Sequence, residues 1–235
     1  MRLMMVEGER VQKSAVVLLS GGLDSAVTLA EARRQGFSCL CLIFDYGQRH
    51  RKEIEAAKKI SRMNGCSYRL IKVKFPWKGS ALLDKKAAIT KSSLCRDRRG
   101  YRASSNIPDT YVPARNIIFL SLALSCAEAV GASAIFIGAH AQDYSGYPDC
   151  RPEFYKAFRQ VSRLGTKAGV SGKPVKIITP LINKTKAEII VLGSKLKVPF
   201  GLTWSCYQGG KKPCGKCDSC YYRAKGFKEA GLNDG

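Results

Sequence analysis

The sequence predicts an α/β fold, a Rossmann-like parallel sheet with crossover helices, and three observations carry that prediction. Short apolar runs recur at 14–19, 38–44 and 67–73, and stretches with helical periodicity separate them at 24–35 and 51–64. A glycine-rich turn, Ser20-Gly21-Gly22-Leu23-Asp24-Ser25, joins the first run to the first helix. Strands separated by helices pair in parallel, because each helix carries the chain back to the edge where the previous strand began.

Each element follows from its residues. Ala15-Val16-Val17-Leu18-Leu19 is apolar without alternation, as expected for a strand covered on both faces. The polar, basic and weakly periodic stretch 75–110 reads as an excursion from the sheet, with a short helix near 80–86. Alternation resumes with a helix over 113–130 that has proline in its first turn and a strand over 133–137. The loop 138–152 follows, then a helix over 153–164, a strand over 175–179 and a helix over 185–196. From Gly226 onward the chain reads as a fraying tail. The expected organisation is a Rossmann-like body over 1–200 and a small C-terminal cysteine-bearing segment over 201–235 packed on it.

A chain of 235 residues, 45% hydrophobic, can bury one sizeable core. Its longest apolar runs are too short to span a bilayer, and nothing resembles an export signal, so a cytoplasmic protein is expected. Forty Lys plus Arg against eighteen Asp plus Glu give a formal charge of +22, a field that attracts nucleotides, acidic metabolites or RNA. The basic residues are scattered, from Arg33 and Arg34 to Lys211 and Lys212, and do not interleave with aromatics. They read as a solvated basic surface able to hold RNA non-specifically, with no nucleic acid required for function.

The turn at Ser20 is the main candidate for chemistry. A strand that turns sharply into a helix points backbone N–H groups at one spot, and Ser20, Ser25 and Asp24 surround it. At the carboxyl end of the next strand lies Asp45-Tyr46-Gly47-Gln48, where ligands of such sheets bind. Tyr111-Val112-Pro113-Ala114-Arg115-Asn116 opens a helix with a cation, as do Lys184 and Lys186 farther on. A cation there opposes the helix dipole, so each reads either as a phosphate contact or as a solvated surface charge. Tyr147, Asp149, Arg151 and Phe154 fall within a short loop between strand and helix. Stacking faces, a carboxylate for ring N–H groups and a guanidinium suit a planar, acidic heterocycle. Cys150 lacks a histidine close in sequence and reads as inert.

Ten cysteines in such a chain argue for a metal site or buried thiols rather than disulfides. Cys206, Cys214, Cys217 and Cys220, spaced C-x7-C-x2-C-x2-C, can close a tetrahedral site. Zinc is favoured over an iron–sulfur cluster, because no proline follows the last cysteine. Within this cluster Gly210-Lys211-Lys212-Pro213-Cys214-Gly215-Lys216-Cys217 imitates a Walker A loop. It lacks the preceding strand and the terminal Ser or Thr, so it belongs to the metal knuckle.

Ser20 to Ser25 resembles the SGGxDS loop of N-type ATP pyrophosphatases. Together with Asp45 to Gln48, Tyr111 to Asn116, Tyr144 to Phe154 and the terminal cysteines, it resembles the 7-cyano-7-deazaguanine synthase family nearly end to end. The resemblance implies an adenine nucleotide alpha hydrolase-like fold and a carbon–nitrogen ligase activity. It implies that 7-carboxy-7-deazaguanine and ammonia become the nitrile preQ0, through adenylate and amide intermediates, for queuosine or archaeosine biosynthesis. The cofactors it implies are ATP, Mg2+ and a structural Zn2+, and it implies a homodimer. ATP would lie on Leu19, Ser20, Gly21, Gly22, Leu23, Asp24, Ser25, Ala26, Val27, Thr28 and Leu29. Asp24 would sit near magnesium, Arg115, Lys184 and Lys186 would neutralise phosphate charge, and Tyr147, Asp149, Arg151 and Phe154 would hold the base. Cys206, Cys214, Cys217 and Cys220 would bind zinc outside the chemistry. His140 departs from the family pattern, which has asparagine there. The rival readings are a tRNA-modifying enzyme of the thiolase type and a non-catalytic zinc-bearing RNA-binding module.

Overall fold

The computed structural model describes residues 13–77, 80–84, 107, 110–140 and 147–234. Five strands form one sheet: β1 (Ser14–Leu18), β2 (Ser38–Asp45), β3 (Ser67–Lys72), β4 (Ala134–Phe136) and β5 (Lys176–Ile178). Their order is β3-β2-β1-β4-β5, and every pairing is parallel. The order reverses beside β1, so the crevice at its carboxyl end is where such a sheet receives ligands. In register, Val16 pairs with Leu40 on one side and with Ile135 on the other.

Both faces of the sheet are covered. Ala15, Val17 and Leu19 join one buried cluster with Cys41 and Ile43, while Val16 and Leu18 join a second with Leu42 and Phe44. The first face packs against α1 (Leu23–Arg34), α2 (Lys52–Met63), α6 (Lys186–Lys195) and α7 (Asp218–Ala230) through Val27, Ile60, Ile190 and Phe227. The second packs against α3 (Arg115–Ala129) and α4 (Pro152–Leu164) through Leu120, Leu124, Tyr155 and Phe158. The short helix α5 (Lys167–Val170) follows α4.

Three expectations are corrected. The tail expected to fray from Gly226 is the second half of α7, held because Phe227 is buried in the main core and stacks edge-on against Phe200. The helix expected from Pro113 begins at Arg115, because Ala114 takes a left-handed conformation at its N-cap. Residues 80–84 form a turn closed by bonds from the Leu83 and Asp84 amides to the Ser80 carbonyl, while 85–86 lie outside the described residues. No helix among the described residues is long and apolar enough to cross a membrane.

Candidate active site

A cavity of about 260 Å³ opens at the carboxyl ends of β1, β2 and β4. The Ser20 turn forms one wall. Ser25 Oγ accepts from the Gly21 amide at 3.2 Å and donates to the Gly22 carbonyl at 2.9 Å, and Ser20 Oγ lies 3.1 Å from Ser25 Oγ. These bonds fix the turn from within. The first amides of α1, which have no intrahelical acceptor, are left to face the crevice.

The two glycines have different tasks. Gly21 has φ +87°, and a Cβ there would collide with the Glu53 carbonyl oxygen in the first turn of α2. Gly22 lines the cavity, where a Cβ would rest 3.4 Å from Ser20 Oγ.

Asp24 projects from the first turn of α1, and Lys186 from the first residue of α6. Lys186 Nζ donates to both carboxylate oxygens, at 2.7 and 2.8 Å, and lies 3.0 Å from His140 Nε2. Burial works to raise the Asp24 pKa, but the charges and hydrogen bonds of Lys186 and His140 outweigh it and hold the carboxyl well below its ordinary value. Each Asp24 oxygen accepts one bond from Lys186 and keeps a further lone pair. Lys184 stands apart near Glu31, whose carboxyl is lowered chiefly by hydrogen bonds from Arg34 and least by Lys184.

Opposite the Ser20 turn, Arg115 Nη1 donates to Tyr46 Oη at 3.2 Å, and both residues line the cavity. Burial pushes the Tyr46 hydroxyl up to about 12, so it stays protonated. Phe119 stacks on Phe44 at 4.0 Å, making a flat apolar floor beside them.

The four residues of the expected base loop separate. Tyr147 lines the cavity with its hydroxyl 2.6 Å from Thr110 Oγ1. Asp149 is buried behind the wall, where Oδ2 accepts the Asn116 amide at 3.0 Å and caps α3 in place of the missing N-cap side chain. Arg151 is exposed at the N-cap of α4, and Phe154 packs on Tyr155 and Phe158. Neither lines the cavity.

The fourth wall is C-terminal. Trp204, Ser205, Tyr207 and Ser219 line the cavity, and the Trp204 amide donates to the Gly21 carbonyl at 2.9 Å. Cys206, in the middle of this wall, forms a cluster with Cys214, Cys217 and Cys220 whose Sγ atoms all lie within 4.8 Å of one another. Four thiolates about 2.3 Å from a tetrahedral zinc would stand about 3.8 Å apart. Cys214 and Cys220 stand 4.0 Å apart. Amides of Cys214 and Cys217 point at Cys206 Sγ and Cys214 Sγ, each at 3.3 Å, bonds that stabilise thiolates. The residues fit such an ion. The placement of Cys214 and Cys217 in this cluster accounts for the false Walker A spacing.

A family model described as "Queuosine biosynthesis protein QueC" matches residues 14–231. The chain belongs to this family. A 7-cyano-7-deazaguanine synthase of Acetivibrio thermocellus is 54% identical over 223 residues, covering 94% of this chain and 96% of that one. One from Anaeromyxobacter sp. is 50% identical over 229 residues, covering 96% of each. Among solved structures, NMN synthetase from Francisella tularensis superposes with a TM-score of 0.51 at 16% identity, over 95% of this chain and 79% of that one, a likeness of fold.

The sequence motifs assign no site role to His50, Glu53, Trp204 or Tyr207, all of which line the cavity. His50 and Glu53 had a signal: they follow the carboxyl end of β2 at the three-residue spacing that brings side chains together on a helix start. Trp204 and Tyr207 flank Cys206, and only the fold shows that the cysteine cluster turns them toward the Ser20 loop.

Proposed function

We propose that this cavity activates the carboxylate of 7-carboxy-7-deazaguanine with ATP and converts it with ammonia to 7-cyano-7-deazaguanine, by way of an adenylate and an amide. The observation that carries the reading is the polarity of one cavity. Amides and hydroxyls of the Ser20 turn lie at one end, and the flat Phe44 and Phe119 pair with Tyr46, Tyr147 and Arg115 at the other. The first end suits phosphates and the second a planar acidic base. Family membership points the same way.

Residue roles follow from placement. The Ser20 turn and α1 would hold ATP through backbone amides. Lys186, fixed by Asp24, would present positive charge beside that turn, and Arg115 would face the substrate carboxylate as negative charge passes to the leaving phosphate. Asp149 would act indirectly, by seating α3 and therefore Arg115. A carboxylate oxygen leaves poorly until it departs as AMP, so the protein's work is orientation and charge stabilisation. Magnesium would travel on the nucleotide's phosphates, near Asp24, whose oxygens each keep a lone pair beside Lys186. Zinc would supply no chemistry and would hold the Trp204 to Tyr207 wall. A homodimer in the cytoplasm, its basic surface holding RNA only non-specifically, accords with this reading.

The test is ammonia-dependent release of AMP and pyrophosphate from ATP. It is expected only with 7-carboxy-7-deazaguanine present, with the nitrile found by mass spectrometry. Turnover driven by tRNA instead would sink the proposal.

A further inference from the structure

His50 is the cavity residue whose chemistry is unused. Its side chain is 4% exposed, and Nε2 lies 3.0 Å from Glu53 Oε2. Glu53 is itself held, since Oε1 accepts from Gln48 Nε2 at 2.9 Å. Gln48 is fully committed: Nε2 also donates to the Phe44 carbonyl at 3.1 Å, and Oε1 accepts the Tyr46 amide at 2.9 Å. This relay starts at the end of β2 and leaves the Glu53 carboxylate one role, to accept a proton-bearing Nε2. In the neutral ring, a proton on Nε2 leaves the lone pair on Nδ1. Nδ1 is buried and has no hydrogen-bond partner among the described residues. A buried imidazole nitrogen with an open lone pair costs free energy unless something at the site uses it. The ring is packed beside Tyr207, and His50 and Glu53 both line the cavity with Ser20 and Gly22.

We propose that His50 is a catalytic proton acceptor and Glu53 its positioning residue, with Nδ1 taking the proton that the incoming nitrogen must shed. The inference rests on the proposed reaction. There, the nitrogen lone pair of ammonia forms a C–N bond to the adenylate carbonyl carbon, and the C–O bond to AMP breaks as AMP leaves. One N–H proton must go to a base to give the neutral amide. After the second activation places AMP on the amide oxygen, the C–O bond to AMP breaks and the nitrogen sheds its two remaining N–H protons to give the nitrile; the same acceptor serves, having passed each proton on to solvent before it takes the next. Adenylation moves no proton from nitrogen, so it does not need His50.

The two halves can be read separately. Exchange of labelled pyrophosphate into ATP, driven by 7-carboxy-7-deazaguanine without ammonia, reports adenylation; its absence in the unmutated protein would defeat the proposed function and, with it, this role for His50. Given that exchange, His50→Asn is expected to keep it while losing about 100-fold or more of ammonia-dependent amide formation. Glu53→Gln should lower kcat with little change in the KM for ammonia, and Glu53→Asp should restore part of it. Amide formation by His50→Asn at the unmutated rate would overturn the proposal. The chain has two histidines, so nitrogen-15 spectra of labelled imidazoles, assigned with His140→Asn, report the ring directly. A pyridine-type Nδ1 and a hydrogen-bonded Nε2 proton that Glu53→Gln removes are expected. An Nδ1-protonated ring would overturn the proposal even if His50→Asn failed to fold.

Discussion

The Ser20 wall of the cavity and the Trp204 wall touch through the bond from the Trp204 amide to the Gly21 carbonyl, yet different forces hold them. The Ser20 wall grows out of β1 and α1, whose Val17, Leu23 and Val27 are buried in the main core. Its shape is fixed by burial before any ligand arrives. The Trp204 wall follows a short 3-10 turn, Phe200–Leu202. It is tied by Arg223, which donates to the Phe200 carbonyl at 2.9 Å and to Thr203 Oγ1 at 2.7 Å, and by the four cysteines. Half of the pocket is thus preorganised by apolar packing and half hangs on a four-cysteine cluster that could hold a metal ion. A structural metal there would stand at a distance from the reaction and still decide the shape of the site.

Loss of the metal expected on the four cysteines should have the largest effect. Cys217→Ser, or treatment of the protein with a strong chelator, should lower bound zinc from about one per chain and abolish turnover. The body should keep its helical and sheet signal by circular dichroism, because the sheet's core contains none of these thiols. Normal turnover in metal-free protein would show that the Trp204 wall is held without the knuckle.

Gly21 and Gly22 sharpen the same contrast within one wall. Gly21→Ala meets both a positive φ and the Glu53 carbonyl, so it should cost about 1–3 kcal/mol, a fall of roughly 2–12 °C in Tm. Gly22→Ala finds room and should cost under about 1 kcal/mol, while its methyl group enters the cavity and weakens ATP binding. Calorimetric melts and nucleotide titrations separate the two. Equal Tm losses would contradict the division of labour.

How much of this was legible follows from how local each signal is. The sheet could be read because apolar runs and helical periods are local, and the Ser20 turn because its hydroxyls and amides lie within six residues that bond to one another. The Asp24–Lys186 pair joins residues 162 positions apart, and no local pattern announces it. Asp149 looked like a base-binding carboxylate because its type was visible, while its partner, the Asn116 amide, was not. Arg151 stands at the N-cap of α4 and Phe154 lies in its first turn, which directs one outward and the other into packing. The left-handed Ala114 that starts α3 late has no sequence signal, since alanine does not favour that conformation. The end of α7 was misread because the core that buries Phe227 is assembled from distant strands and helices.

A further effect concerns the charge pair that links the Ser20 wall to α6. The folded pKa of Asp24 lies below its ordinary value of 3.8. The pair's contribution is therefore fully present above about that pH and is lost only as the pH falls through the lower folded value. Lys186→Met keeps an aliphatic stem and removes the ammonium, leaving Asp24 with His140 at 3.5 Å. Full burial of a broken pair costs about 3–5 kcal/mol, but the Asp24 side chain is 27% exposed, so about 1–2 kcal/mol is expected near neutral pH. In acid the two proteins should converge, since a protonated Asp24 no longer needs its cation. Denaturant melts of both proteins from pH 7 down to about pH 2 would measure the convergence. A gap that stayed constant across that range would mean that Lys186 stabilises α6 by packing alone, and that the Ser20 wall, like the sheet beneath it, owes nothing to charge.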